Sequence, residues 1–401
     1  VSKITARSHL KDQKAKFMRI ESLHFKNITE GWELAETTFD DLNLLVGVSG
    51  AGKTQTLDAI KTLVWIALGE SELDEQLEWK MSFSIEGDTF LWDGMSEKDS
   101  NLTALEGPFT WKNDAVSEAW IHREKLSKND KVIFDRSDGK GSFLDTPLPK
   151  LEPKKSLVAL LFDEPMPLIK SGFSQVFHSA ATFEGTELPE HSKSHLQFLS
   201  SYGYEILCNS MFHPMWKAYF ASEYSPEDFD SVKRTFSEIF PQVADVAIDL
   251  TEAPAKKTYF RNDERQFFPE VRVQMSGATS WTPENGIASG MLKTFHFICE
   301  SRFFGPGMVF LIDEFENSLG VNCLDVVTDL LLERQDTQFI LTSHHPYVIN
   351  KIPMKYWRIV TRKGGVIHIK TAEDLHLGKS KHEAFIQLIN SEDYMKGVAA
   401  S

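Results

Sequence analysis

The stretch Asp41-Leu42-Asn43-Leu44-Leu45-Val46-Gly47-Val48-Ser49-Gly50-Ala51-Gly52-Lys53-Thr54-Gln55 decides how the rest of the chain is read. Asp41 to Val46 reads as a short buried strand. It runs directly into Gly47 to Thr54, which fits the pattern G-x-x-x-x-G-K-[ST]. Thr54 to Leu68 then carries Leu57, Ile60, Leu63, Val64 and Ala67 at helical spacing. Strand, glycine-rich loop and helix in that order form a phosphate cradle. The glycines let backbone N–H groups turn inward around an anion, and the helix presents its positive end to it. Lys53 adds a compact positive charge, and Thr54 offers a hydroxyl to Mg²⁺. The expected nucleotide-binding residues are therefore Gly47, Ser49, Gly50, Ala51, Gly52, Lys53, Thr54 and Gln55, with Thr54 also a metal ligand.

A phosphate loop of this kind needs a second strand that ends in acidic residues. The Asp holds Mg²⁺ and the following Glu polarises the attacking water. Two segments qualify on pattern: Leu157 to Phe162 followed by Asp163-Glu164, and Met308 to Ile312 followed by Asp313-Glu314. Context selects the second. After it come Asn317-Ser318-Leu319, a helical pattern from Val321 to Glu333, and the apolar run Phe339-Ile340-Leu341 leading to Thr342-Ser343-His344. His344 lies 30 positions beyond Glu314, room for one helix and one strand, and is the expected γ-phosphate sensor. Nothing equivalent follows Asp163, since Phe173 to Phe177 is too short for a crossover before His178. Asp163 and Glu164 are expected at the end of a packing helix. His345 is a weaker alternative to His344.

Ile287-Ala288-Ser289-Gly290-Met291-Leu292-Lys293 precedes Asp313 by about one helix and one strand. Ser289-Gly290 at a helix start is a further anion-binding feature.

The 401 residues suffice for more than one core. Hydrophobic residues at 41% and charged residues at 25% are those of an ordinary globular protein. No apolar run approaches the ~20 residues of a membrane span. Val1 to Lys16 is polar and basic, which does not read as a secretory signal. Cys208, Cys299 and Cys323 form no CxxC pair, so neither a zinc site nor a disulfide framework is expected, and a cytoplasmic compartment fits. A net charge of −15 argues against general nucleic-acid binding, although a local basic face is compatible with it. The basic arm with Lys3, Arg7, Lys11, Lys14 and Lys16 reads as a solvated tail.

The pattern predicts a strand over Phe17 to Ile28, a hairpin over Met81 to Trp92 turning at Gly87-Asp88, and a turn at 138–141. Helices are expected over Ser156 to Phe162, Leu196 to Phe220 and Pro226 to Phe240, the last capped by Ser225. The last third alternates strand and helix: Val271 to Met275, Gly290 to Phe304, Met308 to Ile312, Val321 to Glu333, Gln338 to Thr342. A strand pair around Trp357 to Ile369 and a helix near His382 to Ile389 follow. The expected class is α/β, a P-loop head with a mixed central sheet flanked by helices. The expected division is a lobe over 1–70, an insertion of β-hairpins plus a helical subdomain over 71–270, a second lobe over 271–370 and a helical tail over 371–401.

The order of loop, long insertion, Ser-Gly, Asp-Glu strand and histidine resembles the ABC-type ATPases of the structural-maintenance, RecF and overcoming-lysogenization class. Ile-Ala-Ser-Gly-Met-Leu-Lys and Thr-Ser-His-His-Pro look most like the ATPases of bacterial anti-phage defence systems of the Septu, PARIS and retron-associated kinds. The resemblance implies ATP and Mg²⁺ as cofactors, Asp313 on the metal, Glu314 as catalytic base and His344 as switch. It implies that Asn317 to Leu319 form the D-loop and that Ser289-Gly290 act across a homodimer or higher oligomer of ATP-sandwiched heads. Ala288 stands where the family signature has its first serine, and Gly320 where the D-loop has Asp. Gln76 suits a Q-loop only by distance. The span after His344 is too short for a Toprim nuclease domain, so a separate effector, a nuclease, is the expected partner, with DNA or a phage component as a further contact and no membrane. A RecF-like DNA-repair protein is the alternative; a transporter motor is disfavoured by the size of the insertion.

Overall fold

The computed structural model describes residues 18–70, 73–98, 119–137, 139–179, 190–201, 204, 213–252, 265–303, 307–317, 319, 321–334, 336–378, 381–390 and 398–399. The chain divides into two compact units. The first is Val1–His178, Gly307–Leu311 and Asp336–Ser401; the second is Ser179–Pro306 and Ile312–Gln335.

The first unit opens with β1 (Arg19–Asn27), β2 (Trp32–Thr38), β3 (Leu42–Val46) and α1 (Lys53–Leu68). β4 (Leu77–Ile85), β5 (Asp88–Lys98), β6 (Ala119–Lys128), β7 (Lys131–Ser137), β8 (Lys140–Phe143) and β9 (Thr146–Pro147) follow as an antiparallel meander. Then come α2 (Leu157–Leu160), α3 (Met166–Phe173) and β10 (Val176–His178). The second unit holds β11 (His191–Ser192), α4 (Lys193–Ser200), α5 (Pro214–Tyr224), α6 (Pro226–Ile239), β12 (Val243–Glu252), β13 (Gln266–Met275), β14 (Trp281–Thr282) and α7 (Ser289–Phe303). β15 (Val309–Ile312) returns to the first sheet, and α8 (Val321–Glu333) belongs to the second unit. The first unit closes with β16 (Gln338–Thr342), α9 (Pro346–Lys351), β17 (Trp357–Lys363), β18 (Val366–Thr371), α10 (Lys381–Asn390) and β19 (Val398–Ala399).

Fifteen strands among the described residues form one mixed sheet, in the order β10-β15-β16-β3-β17-β18-β2-β1-β4-β5-β6-β7-β8-β9, with β19 on β17. β10 runs parallel to β15, and β16 and β17 run parallel to β3 on either side of it. Every residue of β3, β15 and β16 is buried. Strands covered on both faces read as largely apolar runs, and the buried amides of Asn43 and Gln338 donate to backbone carbonyls. β4 alternates instead, Leu77, Trp79, Met81, Phe83 and Ile85 being buried, as a sheet with one covered face demands. The fold is the α/β class, with a mixed sheet and flanking helices, that the sequence leads one to expect.

α1 buries Leu57, Ala59, Ile60, Leu63, Val64, Ile66 and Ala67 in the first unit's core. Each large apolar side chain so enclosed contributes roughly 1.5–3 kcal/mol. Gly69 ends the helix in a left-handed turn at φ 73°, its N–H donating to Ile66 O. Across β4 and β5, Phe83 faces Phe90 with centroids 5.2 Å apart, and Phe173 of α3 packs edge-on against Phe83. The second unit has its own core. Phe229, Val232, Phe236 and Ile239 recur along α6 at helical spacing and meet Phe295, Ile298 and Cys299 of α7.

Several details depart from the sequence reading. Residues 71–178 belong to the first unit, and the second begins at Ser179. The helix expected over Ser156 to Phe162 covers only Leu157–Leu160. Leu196 to Phe220 is not one helix: α4 ends at Ser200 and α5 begins at Pro214, whose ring suits a first helical turn. Residues 202–203 and 205–212 of that stretch, with Cys208, lie outside the described residues, as do the basic arm and Asp138. Ser225 precedes α6 but makes no side-chain cap; its hydroxyl donates to the Asp228 carboxylate at 2.8 Å. Phe173 to Phe177 reads as too short for a crossover before His178, yet Val176–His178 is a parallel strand beside β15. Three residues at a sheet edge carry no readable period.

Candidate nucleotide-binding site

In the first unit, Gly47 to Gly52 connect β3 to α1. Gly50 and Gly52 adopt φ of 80° and 103°, a region that suits glycine. Gly47 is required by space: a Cβ there would lie 2.5 Å from the Val360 carbonyl oxygen of the adjacent strand β17. A Cβ at Gly52 would meet Ile367 Cδ1 at 2.4 Å. Ala51 is fully buried and Ser49 exposed. Lys53 opens α1 and turns back over the loop, its Nζ donating to Gly47 O at 2.8 Å and Val48 O at 3.1 Å. Thr54 and Gln55 occupy the first turn of the helix. The loop thus has the glycine conformations, the lysine and the helix start that a phosphate group requires.

Arg362 is the residue that sequence reasoning missed. Its Nη1 donates to Gln55 Oε1 at 2.8 Å and its Nε to Gly364 O at 3.1 Å. β17 carries it alongside β3, with Ile359 paired to Val46. No motif spacing flags an arginine in a closing strand; only the parallel pairing does.

His344 lies two residues beyond the end of β16 and is exposed. Ser343, just before it, is buried and donates its N–H to Leu45 O at 3.2 Å, so the chain still tracks β3 there. His345 is occupied differently: its Nδ1 accepts from Tyr347 N at 3.2 Å and caps α9.

β15 passes into the second unit at Ile312, and Asp313 and Glu314 follow. Asp313 is half-buried and Glu314 exposed. Glu314 has φ 44°, the left-handed region, which costs a non-glycine residue about 1–3 kcal/mol. The turn that holds it there is defined by Asn317, whose N–H donates to Glu314 O at 2.6 Å and whose Nδ2 donates to Glu314 Oε2 at 3.3 Å. Phe315 is buried edge-on against Phe297 of α7, with centroids 5.8 Å apart. Hard oxygen donors such as the Thr54 hydroxyl and the Asp313 carboxylate are of the kind Mg²⁺ takes. Ser318 and Gly320 lie outside the described residues.

Asp163 and Glu164 do not end a strand or a helix; both are exposed in the loop between α2 and α3. The apolar run before them is diverted by Glu124, whose Oε2 accepts from Leu157 N at 2.8 Å. The Ser156 hydroxyl accepts from Val158 N at 3.0 Å and caps α2. Phe162 points outward, 77% exposed, under the Lys170 ammonium. Gln76 is held by its backbone between Ile28 and Thr29, at the β1–β4 end of the sheet.

Ser289 and Gly290 open α7, Ser289 exposed and Gly290 half-buried. Leu292 N donates to Ala288 O at 3.0 Å, which puts Ala288 at the N-cap. An alanine there supplies no side-chain acceptor, so the first N–H groups of the helix are not capped from that position. Among the described residues no group of three or more His, Cys, Asp or Glu could hold a metal by itself, and no helix is long and apolar enough to cross a membrane.

No family model matches the chain, and no curated protein matches it. Among solved structures it is similar to an SMC head bound to the C-winged helix domain of ScpA, at 13% identity over 88% of this chain and 97% of that one, TM-score 0.41. It is also similar to the SMC head domain from Thermotoga maritima, at 12% identity over 88% of this chain and 98% of that one, TM-score 0.39.

Proposed function

We propose that this chain is a Mg²⁺-dependent ATP hydrolase of the ABC type that works as a nucleotide-driven switch. The observation that carries the reading is the loop between β3 and α1, with Lys53 Nζ resting on the Gly47 and Val48 carbonyls. A triphosphate is the natural competitor for that ammonium. In this reading the backbone N–H groups of Gly50, Ala51 and Gly52 and the start of α1 receive the phosphates, Lys53 moves from its own carbonyls to the β and γ positions, and Arg362 adds charge beside Gln55. By their places in the two motifs, Thr54 and Asp313 are the residues that would ligate Mg²⁺, which would supply positive charge to the phosphates when bound. Glu314 accepts the proton of the attacking water, its side chain set by Asn317. His344 contacts the γ-phosphate.

Ser289-Gly290 opens α7 at an exposed surface. An exposed helix start without a capping side chain suits contact with a γ-phosphate held by a second copy, so that ATP joins two heads. We further propose that the closed dimer controls a separate effector, a nuclease, in bacterial anti-phage defence; this rests on the signature and Thr-Ser-His-His-Pro resemblance. Steady-state ATP hydrolysis with and without Mg²⁺ tests the enzymatic reading. Phage challenge of cells carrying the gene with its genomic neighbours tests the defence reading; equal plaque numbers with and without the genes would remove it.

A further inference from the structure

The loop after β3 lies between two strands that run parallel to β3, β16 on one side and β17 on the other. β16 leads to His344, the residue read as the contact for the γ-phosphate. A triphosphate laid across the loop with its γ end toward β16 carries its nucleoside end toward β17 and β18. The cation that the first unit presents on that side is Arg362.

The sheet places its side chain. Arg362 pairs with Ile367 of β18, and directly opposed residues share a face. Ile367 is buried in the core with α1 and lies against Gly52, the last glycine of the loop. Val360, two residues before Arg362, is buried in the same core, as the period of a strand requires. β19 pairs with the backbone of Arg362 and Lys363 at the strand edge, which leaves the side chain on the face. The arginine is half-buried. Its Nη1 donates to Gln55 Oε1 in the first turn of α1, and its Nε donates to Gly364 O. Both acceptors are neutral, so neither compensates the positive charge. Nη2 takes part in neither bond.

A loop of this kind divides the phosphates by position. Its lysine reaches β and γ, and its threonine hydroxyl serves the metal that bridges them. Gln55 follows Thr54 along the helix, and the phosphate left for the β17 side is α. We propose that Arg362 binds the α-phosphate of the nucleotide, grips ATP and ADP alike, and so slows release of the diphosphate product. This rests on the reading of the loop as an ATP site. Arginine suits the role because its planar fork keeps Gln55 through one nitrogen while Nη2 offers a second donor to a phosphate oxygen. In this arrangement His344 discriminates ATP from ADP and Arg362 does not.

The test is equilibrium titration of the full chain with fluorescent ATP and ADP analogues in the presence of Mg²⁺, with inorganic tripolyphosphate as unlabelled competitor. The rate at which excess ADP displaces the ADP analogue is measured beside it. Parent, Arg362→Met and Arg362→Lys are compared, and equal melting temperatures without nucleotide show that the variants fold. Arg362→Gln, which can still meet Gln55, replaces Arg362→Met if that variant melts lower. Loss of the guanidinium is expected to weaken ATP and ADP by the same factor, about tenfold or more, as for one hydrogen bond to a charged group. Tripolyphosphate should weaken with them, ADP should leave faster, and Arg362→Lys should recover part of the affinity. A loss confined to ATP would place Arg362 at the γ end, and unchanged tripolyphosphate binding would place it on the sugar or base. Either result overturns the α-phosphate assignment, as does a parent that binds ATP no better than the variants. A parent that binds no nucleotide would remove the ATP reading itself, and this role with it.

Discussion

Lys53 Nζ donates to the carbonyl of Gly47, six residues earlier, at 2.8 Å. The lysine therefore spans the loop from its last residue to its first. Both carbonyls it contacts are neutral acceptors, weaker partners for an ammonium than phosphate oxygens. The geometry places the lysine's charge over the loop that it closes.

Gly47→Ala should destabilise the first unit although the added group is one methyl. Its Cβ would meet the Val360 carbonyl oxygen at 2.5 Å, and that oxygen belongs to a strand held in the sheet beside β3. Forced displacement of packed backbone costs about 1–3 kcal/mol. Thermal unfolding should show a lower midpoint than the parent; an unchanged midpoint would mean that β17 does not press on the loop.

Glu314→Gln should separate binding from turnover. The amide keeps the size of the side chain and can still meet Asn317, but cannot accept a proton. The hydrolysis rate is expected to fall on the order of 10²–10⁴, the usual share of general-base catalysis, with nucleotide affinity kept and a nucleotide-dependent dimer accumulating. Sizing with and without ATP, beside a phosphate-release assay, reads both. Undiminished hydrolysis takes Glu314 out of its role.

The second unit should lose stability in mild acid. Burial lowers the His213 pKa to about 4, and burial, followed by the proximity of His213, does the same to His296. His213 Nδ1 accepts from Met215 N at 3.2 Å and caps α5, a role open only to the unprotonated nitrogen. The unfolded chain takes up these protons near pH 6.5 and the folded one does not. The contribution is thus complete above about pH 6.5 and is lost as pH falls through about 4. His213→Asn keeps a capping acceptor without titrating there. Its unfolding midpoint should vary less between neutral and mildly acidic pH than that of the parent; an identical pH dependence would clear His213.

Much of this was legible in the linear chain, for reasons particular residues make plain. Leu44, Leu45 and Val46 form a run that only a covered strand tolerates, and the glycines after it admit the positive-φ turns that other residues resist. Leu57, Ile60, Leu63 and Val64 repeat at the helical period. Local periodicity carries such elements. What it cannot carry is pairing between distant segments. Arg362 reaches Gln55 only because β17 lies parallel to β3, and Val176–His178 is a strand only because β15 offers it an edge. The apolar run from Leu157 to Phe162 imitates a buried strand until Glu124, more than thirty residues upstream, caps it into a helical turn.

The most direct measurement of the central claim is ATP affinity of the parent against Lys53→Ala, by equilibrium titration with a fluorescent ATP analogue in the presence of Mg²⁺. Lys53 acting on the phosphates predicts saturable binding by the parent and a loss of roughly 10–100-fold in the variant, the worth of one hydrogen bond to a charged group. Equal affinity in the two proteins would contradict it.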